Sequence, residues 1–167
     1  MKSRKLQSIE VQAKQHFETC LLHFYPLSKD GIQRVLNISQ LVSYKKNQKI
    51  KGETDEADSY YFVFSGVVKI YYYKNDRLIV ERFEKENGLF GGNFTTLFKH
   101  DEHYLYEAVE DCIVLKINYT DLLKLCKQHH EIESAYRSMM ESFISVYLKR
   151  LTSFKSLTAE ERYSRIY

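Results

Sequence analysis

The sequence predicts a mainly β fold with flanking helices: short strands folded into a roll or sandwich, entered through helices and left through a long one. Three observations carry this. Strand-like runs follow one another between residues 39 and 118, with a turn signal between each and the next. A Gly-rich stretch, Gly88-Leu-Phe-Gly-Gly-Asn-Phe-Thr-Thr-Leu-Phe98, interrupts them. Beyond Glu131 neither Gly nor Pro occurs, and apolar residues recur at helical spacing.

The chain has 167 residues, enough for one domain or one domain with an appended element. Apolar residues make up 44% and aromatic residues 14%, sufficient for a real core. A formal net charge of +3 is too mild to point to nucleic acid by itself. The three cysteines, Cys20, Cys112 and Cys126, are isolated and odd in number. That argues against a disulfide framework and an iron–sulfur cluster, and it fits a reducing, cytoplasmic setting. No apolar run reaches membrane-spanning length, so no membrane partner is expected.

Residues 1–37 read as a helical lead-in. Met1 to Ser8 is polar and expected to fray. Ile9, Ala13, Phe17, Cys20, Leu21 and Phe24 then recur at helical spacing. Pro26 ends that helix, because proline disfavours helical geometry in the residue before it. Ser28 is the expected N-cap of a short second helix, with Ile32, Val35 and Leu36 as its apolar side.

Residues 38–118 carry the strands. The first is expected near Ser39-Gln-Leu-Val-Ser-Tyr44. The basic run Tyr44-Lys-Lys-Asn-Gln-Lys-Ile-Lys51 reads as an exposed hairpin with solvated lysines, since the acidic run Glu53-Thr-Asp-Glu-Ala-Asp58 follows at once and offsets it. Tyr60–Phe64 and Val67–Tyr73 are strands around a tight turn or bulge at Ser65-Gly66. Lys74-Asn-Asp-Arg77 supplies the next turn and Leu78–Phe83 the returning strand. After the Gly-rich turn come His103–Val109 and Cys112–Ile117. Two packed sheets of this kind would leave a cavity next to the Gly-rich turn, where glycines let backbone approach a ligand.

Residues 119–156 are expected to be a short helix, capped by Asn118 or Thr120, and then a long one. Ile132, Tyr136, Met139, Phe143 and Val146 or Tyr147 make one apolar stripe of the long helix; Met140, Ile144, Leu148 and Leu151 make a second. So wide an apolar arc has two surfaces to cover. One packs on the roll, and the other is expected to pack on the same helix of a second copy, giving a homodimer. Ile132, Tyr136, Met139, Met140, Phe143 and Tyr147 are the expected interface residues. Thr158-Ala-Glu-Glu161 is a capping box, so a new helix is expected from Ala159 within residues 157–167, and the chain reads as cut off inside it.

This order resembles the effector domain of the Crp/Fnr family of transcriptional regulators. Tyr61-Phe-Val-Phe-Ser-Gly66-Val-Val-Lys-Ile is similar to the family's strand-Gly-strand signature. Gly88-Leu-Phe-Gly-Gly92 is similar to the start of its phosphate-binding cassette, and Leu157-Thr-Ala-Glu-Glu-Arg-Tyr163 resembles the junction to its helix-turn-helix head. The resemblance implies a jelly roll of the cyclic-nucleotide-binding type followed by a dimerisation helix. It implies a small-molecule effector, and DNA contact only through a domain beyond Tyr167. The ligand site it implies is Gly91, Gly92, Asn93, Phe94, Thr95, Glu102, His103 and Tyr104.

Two departures argue against cyclic AMP. Asn93 stands where cyclic-AMP-binding members carry the Glu that accepts from the ribose. Glu102 stands where they carry the Arg that pairs with the phosphate. Like charges about 4 Å apart repel by on the order of 4 kcal/mol at an effective dielectric near 20. The cassette is therefore read as degenerate, taking another effector or none, and no cofactor is expected. One alternative is a stand-alone ligand-binding or interaction module with the same roll. Another is a cupin-like metal enzyme using His100, Glu102, His103 and Glu107. His100 and His103 are three apart and would point to opposite faces of a strand, which argues against a metal and against an enzyme.

Overall fold

The computed structural model describes residues 2–51, 59–92 and 104–156. Helices α1 (Lys2–Phe24) and α2 (Lys29–Asn37) precede eight strands: β1 (Ser39–Tyr44), β2 (Lys49–Lys51), β3 (Ser59–Ser65), β4 (Val68–Lys74), β5 (Arg77–Glu84), β6 (Leu89–Gly91), β7 (Leu105–Ala108) and β8 (Cys112–Asn118). Helices α3 (Tyr119–Gln128) and α4 (His130–Ser156) follow. The strands form two four-stranded antiparallel sheets, ordered β1-β8-β3-β6 and β2-β7-β4-β5. This is the jelly roll with a long C-terminal helix that the sequence predicts.

The period-two pattern of β3 explains how the layers stack. Tyr60 and Phe62 pack with Ala13, Phe17, Ile32, Val35, Leu122, Ile132 and Met139, between the first sheet and the helices. Tyr61 and Val63, one residue out of phase, pack with Ile50, Val68, Ile70, Phe90, Tyr106 and Val114 between the two sheets. β8 divides the same way, Leu115 and Ile117 toward the helices and Cys112 and Val114 toward the roll interior. A strand buried on both faces needs a continuous apolar run, which is what Tyr60-Tyr-Phe-Val63 provides.

Both expected caps form. Ser28 Oγ accepts from the Gly31 N–H at 3.0 Å. Asn118 Oδ1 accepts from the N–H groups of Thr120 and Asp121 at 2.9 and 3.3 Å. Glu131, in the first turn of α4, also accepts from the Ser28 N–H at 2.9 Å and from its hydroxyl at 2.7 Å, tying the start of α4 to the start of α2. Asn75 and Asp76, at φ 48° and 60°, make the tight β4–β5 hairpin turn.

Three expectations need correction. α1 begins at Lys2, so the polar lead-in is helical rather than frayed. The basic run does not form a hairpin: β1 pairs with β8 and β2 with β7, so residues 45–48 cross from one sheet to the other. Lys45, Lys46 and Lys49 are exposed, but Lys51 is buried with its ammonium 6.0 Å from the Tyr106 ring centre. The expected turn or bulge at Ser65-Gly66 is present as a register shift between Val63 and Ser65 and a Gly66 φ of 93°, and it carries the chain from one sheet to the other. Finally, the Gly-rich stretch begins as strand β6, paired with β3. The capping box at Thr158 lies outside the described residues.

Candidate ligand site between the roll and the long helix

The end of β6 is shaped by two glycines. Gly91 and Gly92 adopt φ +92° and +104°, a region that side chains disfavour. The Gly92 N–H donates to the Ser59 carbonyl at 2.9 Å. A Cβ on Gly91 would run into that carbonyl oxygen, and one on Gly92 would lie 2.9 Å from the Tyr60 ring. Tyr60 in turn meets α4: its hydroxyl is 3.1 Å from that of Tyr136 and 3.8 Å from Met140 Sδ. The backbone of the Gly-rich stretch is thus held tightly to β3, and β3 to the long helix.

Beside Gly91 opens a cavity of about 260 Å³, lined by Ile70, Glu81, Arg82, Gly91, Tyr104, Tyr106 and Tyr147. β4, β5, β6 and β7 contribute its walls, and Tyr147 reaches it from α4. A polar network crosses it. Arg82 Nη1 donates to Glu81 Oε1 and to the Tyr147 hydroxyl, both at 2.8 Å, and Arg82 Nε donates to Glu84 Oε1 at 2.7 Å. The Tyr147 hydroxyl donates to Glu81 Oε1 at 3.3 Å. Burial alone would lower the Arg82 pKa; the bond to Glu84 and the charge of Glu81 more than offset it, so the guanidinium stays charged. A second, apolar gap of about 40 Å³ lies among Phe17, Leu27, Phe62, Leu122, Ile132 and Met139. It is a dry packing defect of the helical core, since water needs polar partners to stay.

Gly91 and Tyr104 line the larger cavity, and Gly92 is buried against Tyr60. Asn93, Phe94, Thr95, Glu102 and His103 lie outside the described residues. Among the described residues no group of three or more His, Cys, Asp or Glu side chains could hold a metal. Glu107 is taken by Lys69 at 2.9 Å.

Within the protomer the expected interface residues lie on the inward side of α4. Ile132 and Met139 are core residues, and Tyr136, Met140 and Phe143 pack against that core. Tyr147 faces the cavity. The physical reason is that α1 and β3 already cover this side, as Phe24 against Phe143 and Tyr60 against Tyr136 show. The outward face is Ile144, Leu148 and Leu151, exposed by 59, 57 and 51%. Sequence reasoning missed Glu81 and Arg82. The available signal was the charges Glu81, Arg82 and Glu84 following the apolar stretch Leu78-Ile-Val80 on one strand.

With this geometry in view, the comparisons are informative. The family model for the cyclic nucleotide-binding domain matches residues 41–129. The chain belongs to the cyclic nucleotide-binding domain family. No curated protein sequence matches it. Among solved structures, the sensor domain of the transcriptional regulator DNR from Pseudomonas aeruginosa is similar at TM-score 0.61 and 19% identity, covering 77% of this chain and 91% of that one. A CooA mutant from Carboxydothermus hydrogenoformans is similar at TM-score 0.58 and 15% identity, covering 87% and 92%. The Catabolite Activator Protein of Thermus thermophilus gives TM-score 0.61 at 19% identity, covering 79% of this chain; the chain spans 62% of that protein. At such identities the likeness is one of fold.

Proposed function

We propose that these residues are the effector-sensing and dimerisation part of a Crp/Fnr-type transcriptional regulator in the cytoplasm, without catalytic activity of their own. The observation that carries this reading is the cavity shared by the roll and the long helix. Any molecule filling it touches Glu81 and Arg82 on one side and Tyr147 on the other, so binding is felt directly by α4. The exposed stripe Ile144, Leu148 and Leu151 then supplies the surface on which two copies meet, and a change in α4 is passed across the two-fold axis. DNA contact belongs to a head beyond Tyr167.

The cassette is degenerate in this reading. Asn93 and Glu102 lack the charge logic for cyclic AMP, and the described wall adds Arg82, whose Nε and Nη1 are already engaged by Glu84, Glu81 and Tyr147. Two measurements test the proposal. Cyclic AMP at millimolar concentration should leave the melting temperature unchanged; a shift of several degrees, abolished by Gly92→Val, would show the cassette works. The natural protein should have an intact mass several kilodaltons above that of these residues; an equal mass would overturn the regulator reading in favour of a headless binding module.

A further inference from the structure

The C-terminal half of α4 stands apart from the rest of the helix. Every residue from Ile144 to Lys149 is exposed, as are Leu151 and Thr152. Yet Tyr147 in this half hydrogen-bonds to Arg82 and Glu81 on β5, across the mouth of the cavity, with the guanidinium 5.9 Å from its ring centre. Arg82 is itself clamped between two carboxylates whose side chains are only 24 and 22% exposed. The tyrosine hydroxyl therefore docks on a preformed, rigid charge cluster rather than on a loose surface chain.

The charge of that cluster also favours one class of occupant. Among the described residues that line this wall or clamp it, Glu81 and Glu84 together outweigh Arg82 in charge. Both bonds to Glu81 reach the same oxygen, Oε1. Among the described residues the other walls are Ile70, Gly91 and the rings of Tyr104, Tyr106 and Tyr147. A phosphate would meet two carboxylates already bonded to the guanidinium at 2.7 and 2.8 Å, and like charges repel. A planar cation would instead stack on tyrosine faces and present donors to Glu81.

We propose that Tyr147, Arg82 and Glu81 form a latch holding the distal half of α4 to the roll, and that it is opened by a planar ring compound bearing a cationic or amine donor group. This deepens the sensor reading given above and rests on it for its biological sense. The latch itself can be tested without any effector. A ligand donor that takes Glu81 Oε1, the oxygen both bonds share, competes directly with Arg82 and with the Tyr147 hydroxyl, so occupancy frees the segment that carries Ile144, Leu148 and Leu151.

The experiment is amide hydrogen exchange of residues 144–152 on the whole chain. Tyr147→Phe keeps the ring and removes the hydroxyl; Tyr73→Phe, at an exposed site on β4, is the control. Loss of a hydrogen bond to a charged group should speed exchange in this segment by about tenfold or more in Tyr147→Phe and not in the control. Benzamidine at millimolar concentration should speed it in the unmodified protein, have little further effect in Tyr147→Phe, and lose its effect in Glu81→Gln. Unchanged exchange in Tyr147→Phe would overturn the latch. An effect of cyclic AMP without one of benzamidine would overturn the ligand class. The sensor reading is tested separately, by the intact mass and the cyclic AMP melt, so failure of the latch and failure of the sensor reading are separable.

Discussion

The two halves of α4 are built from similar apolar residues and do different jobs. From Ile132 to Phe143 the helix closes the hydrophobic core: Ile132 and Met139 are 2 and 8% exposed, and Phe143 meets Phe24. From Ile144 onward the same helix touches the roll through Tyr147, with Ile144, Val146, Leu148 and Leu151 about half exposed. The difference lies in what stands opposite. α1 ends at Phe24, level with Phe143, and the Ser138 hydroxyl donates to the Phe24 carbonyl at 2.8 Å. A long amphipathic helix therefore takes its meaning from the elements beside it, and an apolar stripe alone does not say which of its residues are core.

This contrast can be broken from either side. The largest effect is expected in the proximal half: Ile132→Ala should lower the unfolding free energy by about 2–5 kcal/mol, through lost burial and the cavity left behind. Leu148→Ala, in dilute protein, should change it by no more than about 0.5 kcal/mol. Urea unfolding of both variants checks the pair; equal losses would erase the distinction between the halves.

A smaller effect is expected where α4 begins. Ser28→Ala removes the cap of α2 and one donor to Glu131, and should cost about 1 kcal/mol. The Glu131 carboxyl is held below its ordinary 4.5 by the Ser28 N–H and then by its hydroxyl. The backbone N–H of Gly66 lowers Glu86 in the same way, and the Lys45 side chain followed by the Lys46 N–H lowers Asp111. Each contribution is complete above the ordinary carboxylate value and is lost as pH falls through the lower, folded one. Stability should therefore decline as pH falls below about 4.5, and Glu131→Gln should flatten that decline. Urea melts across this range read it directly, and an unchanged slope in Glu131→Gln would remove the tie from the account.

How much of this was legible depends on how local each signal is. Ser28, Asn118 and the Asn75-Asp76 turn act on backbone groups within a few residues, and the sequence places all three. The doubly buried Tyr60–Val63 strand is legible for the same reason. Partner choice between strands is not local. A turn signal at Ser65-Gly66 serves a hairpin or a crossing between sheets equally well, and only the pairing of β3 with β8 and β6 decides. The Arg82–Tyr147 bond joins residues 65 apart in sequence, so neither partner announces the other. The packing of the inward set on α4 was hidden for a related reason: its helical period was plain, but the reach of α1 and β3 was not.

The most direct test of the account is the mass in solution of the unmodified protein and of an Ile144→Glu/Leu148→Glu double variant, by light scattering at tens of micromolar. Both substituted positions are exposed in the protomer, so the variant should fold and melt like its parent. The account predicts a dimer for the parent and a folded monomer for the variant. A monomeric parent, or a variant that stays dimeric, would contradict the assignment of the distal half of α4 to the meeting of two copies.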